Sequence, residues 1–373
     1  MRLHKSESIV RDLFAKAQIE VNGTQPYDLQ VNDKRFYRRF LADGALGFGE
    51  SYVEGWWDCA QLAELMSRSF RVELDEIITG NWRTVLHIML LRLTNLQRIS
   101  RAYQVGEAHY DIGNNLYRAM LDKRMVYSCG YWRNAANLDQ AQEAKLDLIC
   151  RKLHMAPGLT LLDVGCGWGA LAKYAAENYG VQVVGITVSR NQYELANELC
   201  RELPIEIRLG DYRSVDGTFD RVVSVGFFEH VGWRNYRHYM ELTAQWLNPD
   251  GIALLHTIGR NRSATAPNRW VHKYVFPNSV VPSIAQIGKS LEGLLVMEDW
   301  HNFGPDYEQT LACWHERFEA AWDELKANYS ERFRRLWDFY LLGALGSFRS
   351  RSLQLWQIVL TQPGRDQPAS RLL

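Results

Sequence analysis

The 373-residue chain has no uninterrupted apolar run approaching the ~20 residues that a membrane-spanning helix needs, so no segment is expected to cross a bilayer. It also has no net charge. Lys plus Arg and Asp plus Glu stand at 43 each, which removes long-range attraction to nucleic acid and leaves any anionic partner to a local patch. Its six cysteines, at 59, 129, 150, 166, 200 and 313, have neither the close pairing of a zinc site nor the density of a disulfide framework, and no metal is expected. The start, Met1-Arg2-Leu3-His4-Lys5-Ser6-Glu7, lacks the charged and then apolar pattern of a secretory signal, so the protein is expected in the cytoplasm. Repeats and low-complexity tracts are missing too.

One absence is local. From Ile77 to Gly106 there is no acidic residue, while Arg83, Arg92, Arg98 and Arg101 surround the apolar run Val85 to Leu91. Such a stretch suits either an anionic membrane surface or a linker helix with solvated arginines.

What is present is a change of pattern. Up to about residue 100 the chain reads as helices with short connections. From Leu159 short apolar runs alternate with helical segments, as a parallel sheet with crossovers requires. The expected strands are 159–164, 181–186, 205–209, 219–225 and 251–257. Two more, 294–297 and 355–360, flank a helical insertion, 306–345, rich in Trp, Tyr and Phe; there Trp314, Phe318 and Trp322 have the spacing of a packed helix face. Residues 363–368 read as a loose tail.

The segment Asp163-Val164-Gly165-Cys166-Gly167-Trp168-Gly169 follows a strand and precedes a helix. Glycines at alternate positions allow the unusual backbone angles of a tight turn and let a ligand approach the main chain. The spacing G-x-G-x-G departs from the G-x-G-x-x-G of dinucleotide sites. A carboxylate at Asp163 would repel a diphosphate but can hold the ammonium of an amino-acid-bearing ligand, which S-adenosylmethionine offers. The loop resembles the first motif of the class I methyltransferases. At the end of the second strand, where an acid on the ribose is usual, stands Thr187, so Thr187 and Gln192 are expected to supply neutral hydrogen bonds. Asp211 and Tyr212, after the third strand, fall where adenine contacts belong.

Four segments carry a closer resemblance: Tyr127-Ser128-Cys129-Gly130-Tyr131-Trp132, Gly185-Ile186-Thr187-Val188-Ser189-Arg190-Asn191-Gln192, Phe227-Phe228-Glu229-His230-Val231-Gly232 and His256-Thr257-Ile258-Gly259. They closely resemble the cyclopropane fatty acid synthases and their mycolic acid cyclopropane synthase relatives. The likeness covers most of the chain, and Gly49 to Asp58 looks like the bacterial branch that acts on phospholipids. The resemblance implies an α/β fold, a Rossmann-like class I methyltransferase sheet of seven strands with the last pair antiparallel. A smaller, mainly helical N-terminal domain (1–100), membrane-associated and ending in a linker helix, would precede a catalytic domain (101–373).

It further implies that an alkene attacks the sulfonium methyl and that the resulting carbocation loses a proton to close a ring, with bound bicarbonate as base. The positions matching the anion's ligands are Cys129 and Ile258 through their backbone, Glu229, His256 and Tyr307. The cofactor set is Tyr127, Ser128, Asp163, Gly165, Cys166, Gly167, Gly169, Thr187, Gln192, Asp211 and Tyr212. Expected partners are unsaturated membrane phospholipid, met peripherally at the inner face of the plasma membrane, and a second copy in a homodimer. Methyl branching of lipid chains and methylation of a small molecule are the enzymatic alternatives. A non-catalytic cofactor-binding module would require these residues to have decayed. A nucleic-acid methyltransferase is disfavoured because no Asn/Asp-Pro-Pro-Tyr-type motif for a flipped base follows the fourth strand.

Overall fold

The computed structural model describes residues 2–74 and 113–372. The basic stretch 77–106 and the boundary expected at residue 100 lie outside them. The chain divides into two compact units, one of residues 1–94, 266–275 and 307–353, the other of residues 95–265, 276–306 and 354–373.

The first unit is mainly helical among its described residues, with one short antiparallel pair, Gln30–Val31 and Trp57–Asp58. Its core is aromatic: Phe14, Phe36, Phe40, Phe48, Trp57 and Phe339 pack ring on ring, with Phe48 stacked on Trp57 at 4.3 Å between centroids. Helix Glu331–Arg349 lies close against helix Leu62–Arg71 because Gly346 has no side chain; a Cβ there would sit 2.6 Å from Met66 Cβ. Trp314, Phe318 and Trp322 are buried, as their spacing predicts. So is Glu50, whose carboxylate is held by Lys273 (2.5 Å), Tyr274 (2.8 Å) and Arg39.

The second unit is built on seven strands: β1 (Thr160–Val164), β2 (Gln182–Thr187), β3 (Ile205–Leu209), β4 (Phe219–Val225), β5 (Leu247–Arg260), β6 (Val296–Asn302) and β7 (Leu353–Thr361). Their order across the sheet is β3-β2-β1-β4-β5-β7-β6. β1 to β5 pair in parallel and β6 pairs antiparallel with β7, as expected. Alternation sends Leu162 to one face of the sheet and Leu161 to the other. The first face is covered by Tyr236, Met240 and Ile287, the second by Leu146, Ile149 and Leu171. The strand order reverses at β1, where ligands of open α/β sheets bind beyond the carboxyl ends.

Two readings of the sequence need revision. β6 runs to Asn302 instead of stopping at 297; its later half, Glu298-Asp299-Trp300-His301-Asn302, is mostly polar, so no apolar run marks it. Asp299 is satisfied there by Lys152 (3.3 Å) and Arg371 (3.1 Å). The C-terminal tail has no regular structure, yet it is tied down. Arg365 donates to the carbonyls of Asp250 (2.6 Å) and Gly251 (3.0 Å), and Ser370 Oγ donates to the carbonyl of Lys152 (2.9 Å).

Candidate functional site

At the end of β1 the chain turns through Gly165 (φ 83°), Gly167 (φ 56°) and Gly169 (φ 82°), all left-handed. At Gly165 there is a second reason for glycine, since a Cβ would fall 2.6 Å from the Phe227 ring. The amides of Gly165 and Cys166 both donate to the carbonyl of Ile186 at 3.0 Å, which pins the turn to the end of β2. Gly169 then leads into helix Ala170–Tyr179.

This turn forms one wall of a cavity in the second unit. Of the residues expected to bind cofactor, Tyr127, Ser128, Asp163, Gly165, Cys166, Gly167, Thr187, Gln192, Asp211 and Tyr212 all line it, and Gly169 does not. Asp163 is buried and its Oδ2 has no hydrogen-bond partner. Burial pushes its carboxyl up to about 7 against the opposing pull of Lys145. Thr187 donates to Gln192 Oε1 at 2.8 Å, and the Ser189 amide donates to Thr187 Oγ1 at 3.2 Å, so these neutral groups form a preset pair. Asp211 is engaged by Arg213, whose Nε and Nη2 reach it at 2.7 and 2.5 Å.

The segment 127–132 is held from behind. Helix Leu138–Lys152, started by Asn137 accepting from the Gln140 amide, presents Ala141, Gln142 and Lys145 to it. The Ala141 carbonyl accepts the Tyr131 amide (2.9 Å), Gln142 Nε2 donates to the Ser128 carbonyl (2.7 Å), and Lys145 Nζ donates to Ser128 Oγ (2.8 Å). The Trp132 amide donates to Asp306 at 2.7 Å. Cys129 is thereby buried next to the cavity wall.

A second group lies just beyond the carboxyl end of β4 and on the adjacent β5. Glu229, on the short helix Phe228–Val231, accepts the Ile258 amide on Oε1 at 2.6 Å. The Ile258 N–H, expected to hold an anion, thus serves Glu229 in this structure. Glu229 Oε2 is buried with no partner. Burial pushes the carboxyl up to about 7, although the Ile258 amide favours its charged form. His256, two residues before Ile258 on β5, is buried with Nε2 unpartnered, and its Nδ1 faces Gln357 Nε2 at 3.3 Å. With that amide donating, the ring proton rests on Nε2. Burial, aided by Lys145 and Lys152, keeps the imidazole neutral. The two side chains therefore offer a carboxyl that titrates near neutrality and a neutral N–H donor. Tyr307 belongs to the first unit, where its ring packs on Phe348 (4.6 Å) and edge-on to Trp314 (5.9 Å).

Three residues escaped the sequence reading. His230 lines the cavity with Nδ1 buried and unpartnered, and burial lowers its imidazole to about 4. Gln357 orients His256. Lys145, also on the cavity wall, had a readable signal: it and Lys152 fall on the apolar stripe Leu138, Ala141, Leu148, Ile149 of one helix, where a lysine is out of place unless it has buried work to do.

Residues 97–358 match the family model described as mycolic acid cyclopropane synthetase. The chain is 49% identical over 354 residues, 95% of its length and 93% of the relative's, to the cyclopropane-fatty-acyl-phospholipid synthase of Escherichia coli K12. It is 36% identical over 271 residues, 69% of each chain, to a probable fatty acid methyltransferase of Pseudomonas putida. Among solved structures, mycolic acid cyclopropane synthase CmaA1 complexed with SAH and CTAB superposes with a TM-score of 0.66 at 32% identity, covering 70% of this chain and 98% of that one.

Proposed function

The chain belongs to the mycolic acid cyclopropane synthetase family, and we propose that it transfers a methylene equivalent from S-adenosylmethionine to the cis double bond of an acyl chain in a membrane phospholipid, forming a cyclopropane ring. It is an S-adenosylmethionine-dependent methyltransferase. The observation that carries the finer reading is the pair of unsatisfied buried atoms, Glu229 Oε2 just beyond β4 and His256 Nε2 on the adjacent β5. An acceptor and a donor left open in a dry site suit a small anion that bears a hydroxyl, and bicarbonate is such an anion.

When bound, the cofactor would supply an electrophilic sulfonium methyl, and bicarbonate would supply a base for the proton that ring closure must shed. The chain's own residues do the positioning. Asp163 takes the ammonium of the cofactor and the glycine turn lets its main chain approach. His256 donates from Nε2 to the anion, while Glu229, with Oε1 fixed by the Ile258 amide, accepts from the anion's hydroxyl through Oε2. Cys129 contributes through its backbone from the other side. Low polarity around these groups strengthens their hold on charge that develops during the reaction.

Among the described residues no helix is long and apolar enough to cross a membrane. We propose peripheral attachment at the inner face of the plasma membrane, in the cytoplasm, as a homodimer. A second reading, transfer that ends in a methyl branch, keeps the same cofactor pocket and agrees with the likeness to the probable fatty acid methyltransferase of P. putida. Vesicles of unsaturated phospholipid incubated with protein and S-adenosylmethionine decide between the two. The expected product gains one methylene per double bond and shows upfield ring protons; a branched alkene overturns the cyclopropane reading. Glu229→Gln is expected to bind cofactor normally and to lose roughly 100-fold or more in turnover. Unchanged turnover in this variant would remove Glu229 and the anion from the mechanism.

A further inference from the structure

We propose that Lys145 recognises the carboxylate of the cofactor's amino-acid end, as the positive counterpart of Asp163 on the same cavity wall; this rests on the S-adenosylmethionine reading above. Lys145 is only 1% exposed, and the surface it retains faces the cavity. Its ammonium has three N–H groups, and one is spent on Ser128 Oγ at 2.8 Å. Among the described residues no carboxylate lies within ion-pairing distance of it. Asp163, which lines the same cavity, also has an Oδ2 without a partner.

A buried cation and a buried anion, neither neutralised by contact with a protein group, are costly to keep out of water. The cost falls if the ligand brings both opposite charges, and the α-ammonium and α-carboxylate of an amino acid are two such charges on one carbon. The other groups that face Lys145 do not meet this need. Asp122 is occupied by the amides of Val126 (2.7 Å) and Arg124 (3.0 Å), Cys129 is a buried thiol, and His256 is neutral. Arg213, the other cation on the wall, is committed to Asp211. Burial pulls the Lys145 ammonium down to about 8, with Asp122, Cys129 and Asp163 opposing the shift. A carboxylate in contact would restore its charge.

The test compares S-adenosylhomocysteine with its decarboxylated counterpart, which keeps the adenosine, the thioether and the amine. Titration calorimetry on the full chain is expected to show the wild type preferring the intact ligand by about 10- to 100-fold, the range of a hydrogen bond between charged groups. Lys145→Met is expected to erase that preference, whereas Ser128→Ala, which leaves the ammonium in place, keeps most of it. A full preference in Lys145→Met overturns the assignment and reduces Lys145 to a prop for Ser128. If that variant does not fold, the wild type still decides. The preference must shrink as pH rises well above 8, and a pH-independent preference overturns the proposal. A wild type that binds neither compound refutes the cofactor reading itself, a separate and recognisable result.

Discussion

Replacing Asp163 by Asn should make the unliganded protein more stable and the cofactor complex weaker. Burial raises the Asp163 carboxyl from its usual 3.8 to about 7. Between those values the folded protein holds a proton that the unfolded chain has released, so this residue's contribution to stability declines as pH rises from about 4 to about 7. The rise from 3.8 to about 7, at 1.36 kcal/mol for each pH unit, amounts to about 4 kcal/mol lost by pH 8, with the opposing pull of Lys145 already included. Asn has the same shape and no charge to desolvate. Urea denaturation of both proteins, followed by tryptophan fluorescence at intervals from pH 4 to pH 8, should show the variant gaining no margin at the acid end and most of this amount at the alkaline end. Calorimetry at pH 8 should show S-adenosylhomocysteine binding about 100-fold more weakly to the variant, the loss of a charged partner in a buried site. A margin that stays flat with pH, or ligand affinity that survives the substitution, would refute the reasoning.

Gly165→Ala and Gly167→Ala separate steric from conformational demands at the turn. Both impose a left-handed angle on alanine, but only at 165 does the new carbon meet a neighbour, the Phe227 ring at 2.6 Å. Thermal denaturation should find a penalty of about 1 kcal/mol at 167 and roughly 2–4 kcal/mol at 165; equal penalties would mean that Phe227 moves freely. Gln357→Leu should leave the His256 ring proton unassigned between its two nitrogens, seen in ring ¹⁵N shifts as a mixture of tautomers, and lower turnover by roughly tenfold or more. A single Nε2–H tautomer in that variant would show that Gln357 does not set it.

Much of the second unit was readable because its strands are short apolar runs bounded by turns. Ile205–Leu209 and Phe219–Val225 have the expected limits. β6 was cut short because half of it is polar at a sheet edge, where pairing and not hydrophobicity defines the strand. The tail read as loose because the groups that hold it, such as the Lys152 carbonyl and Asp299, are more than 70 residues away in sequence. The glycine turn was legible for a local reason: positive φ leaves a mark in residue type. Lys145 left a fainter mark, a lysine on an apolar helix stripe, and Gln357 and His230 left none. Their roles depend on which long-range surfaces meet, as does the grouping of residues 266–275 and 307–353 with the N-terminal helices.

Two buried glutamates show how structure distinguishes support from chemistry. Glu50 and Glu229 have the same side chain, and both are hidden from solvent. Burial alone would raise both. At Glu50 the contacts of Lys273, Tyr274 and Arg39 outweigh it and hold the carboxyl below its usual value, so it stays ionised and braces the first unit. At Glu229 one backbone amide is the main counterweight; the second oxygen is left open and the carboxyl rests at about 7. An unsatisfied buried polar atom costs about 1–3 kcal/mol. Among the carboxylates and imidazoles described in the second unit such atoms recur on Asp163, Glu229, His230 and His256, residues at or just beyond the carboxyl ends of β1 and β4 and on β5. A fold that pairs Glu50 so completely has the means to pair these as well. Their shared location at the one sheet edge where the topology opens a cleft is what a ligand would resolve: an amino-acid end for Asp163, a small hydroxyl-bearing anion for Glu229 and His256.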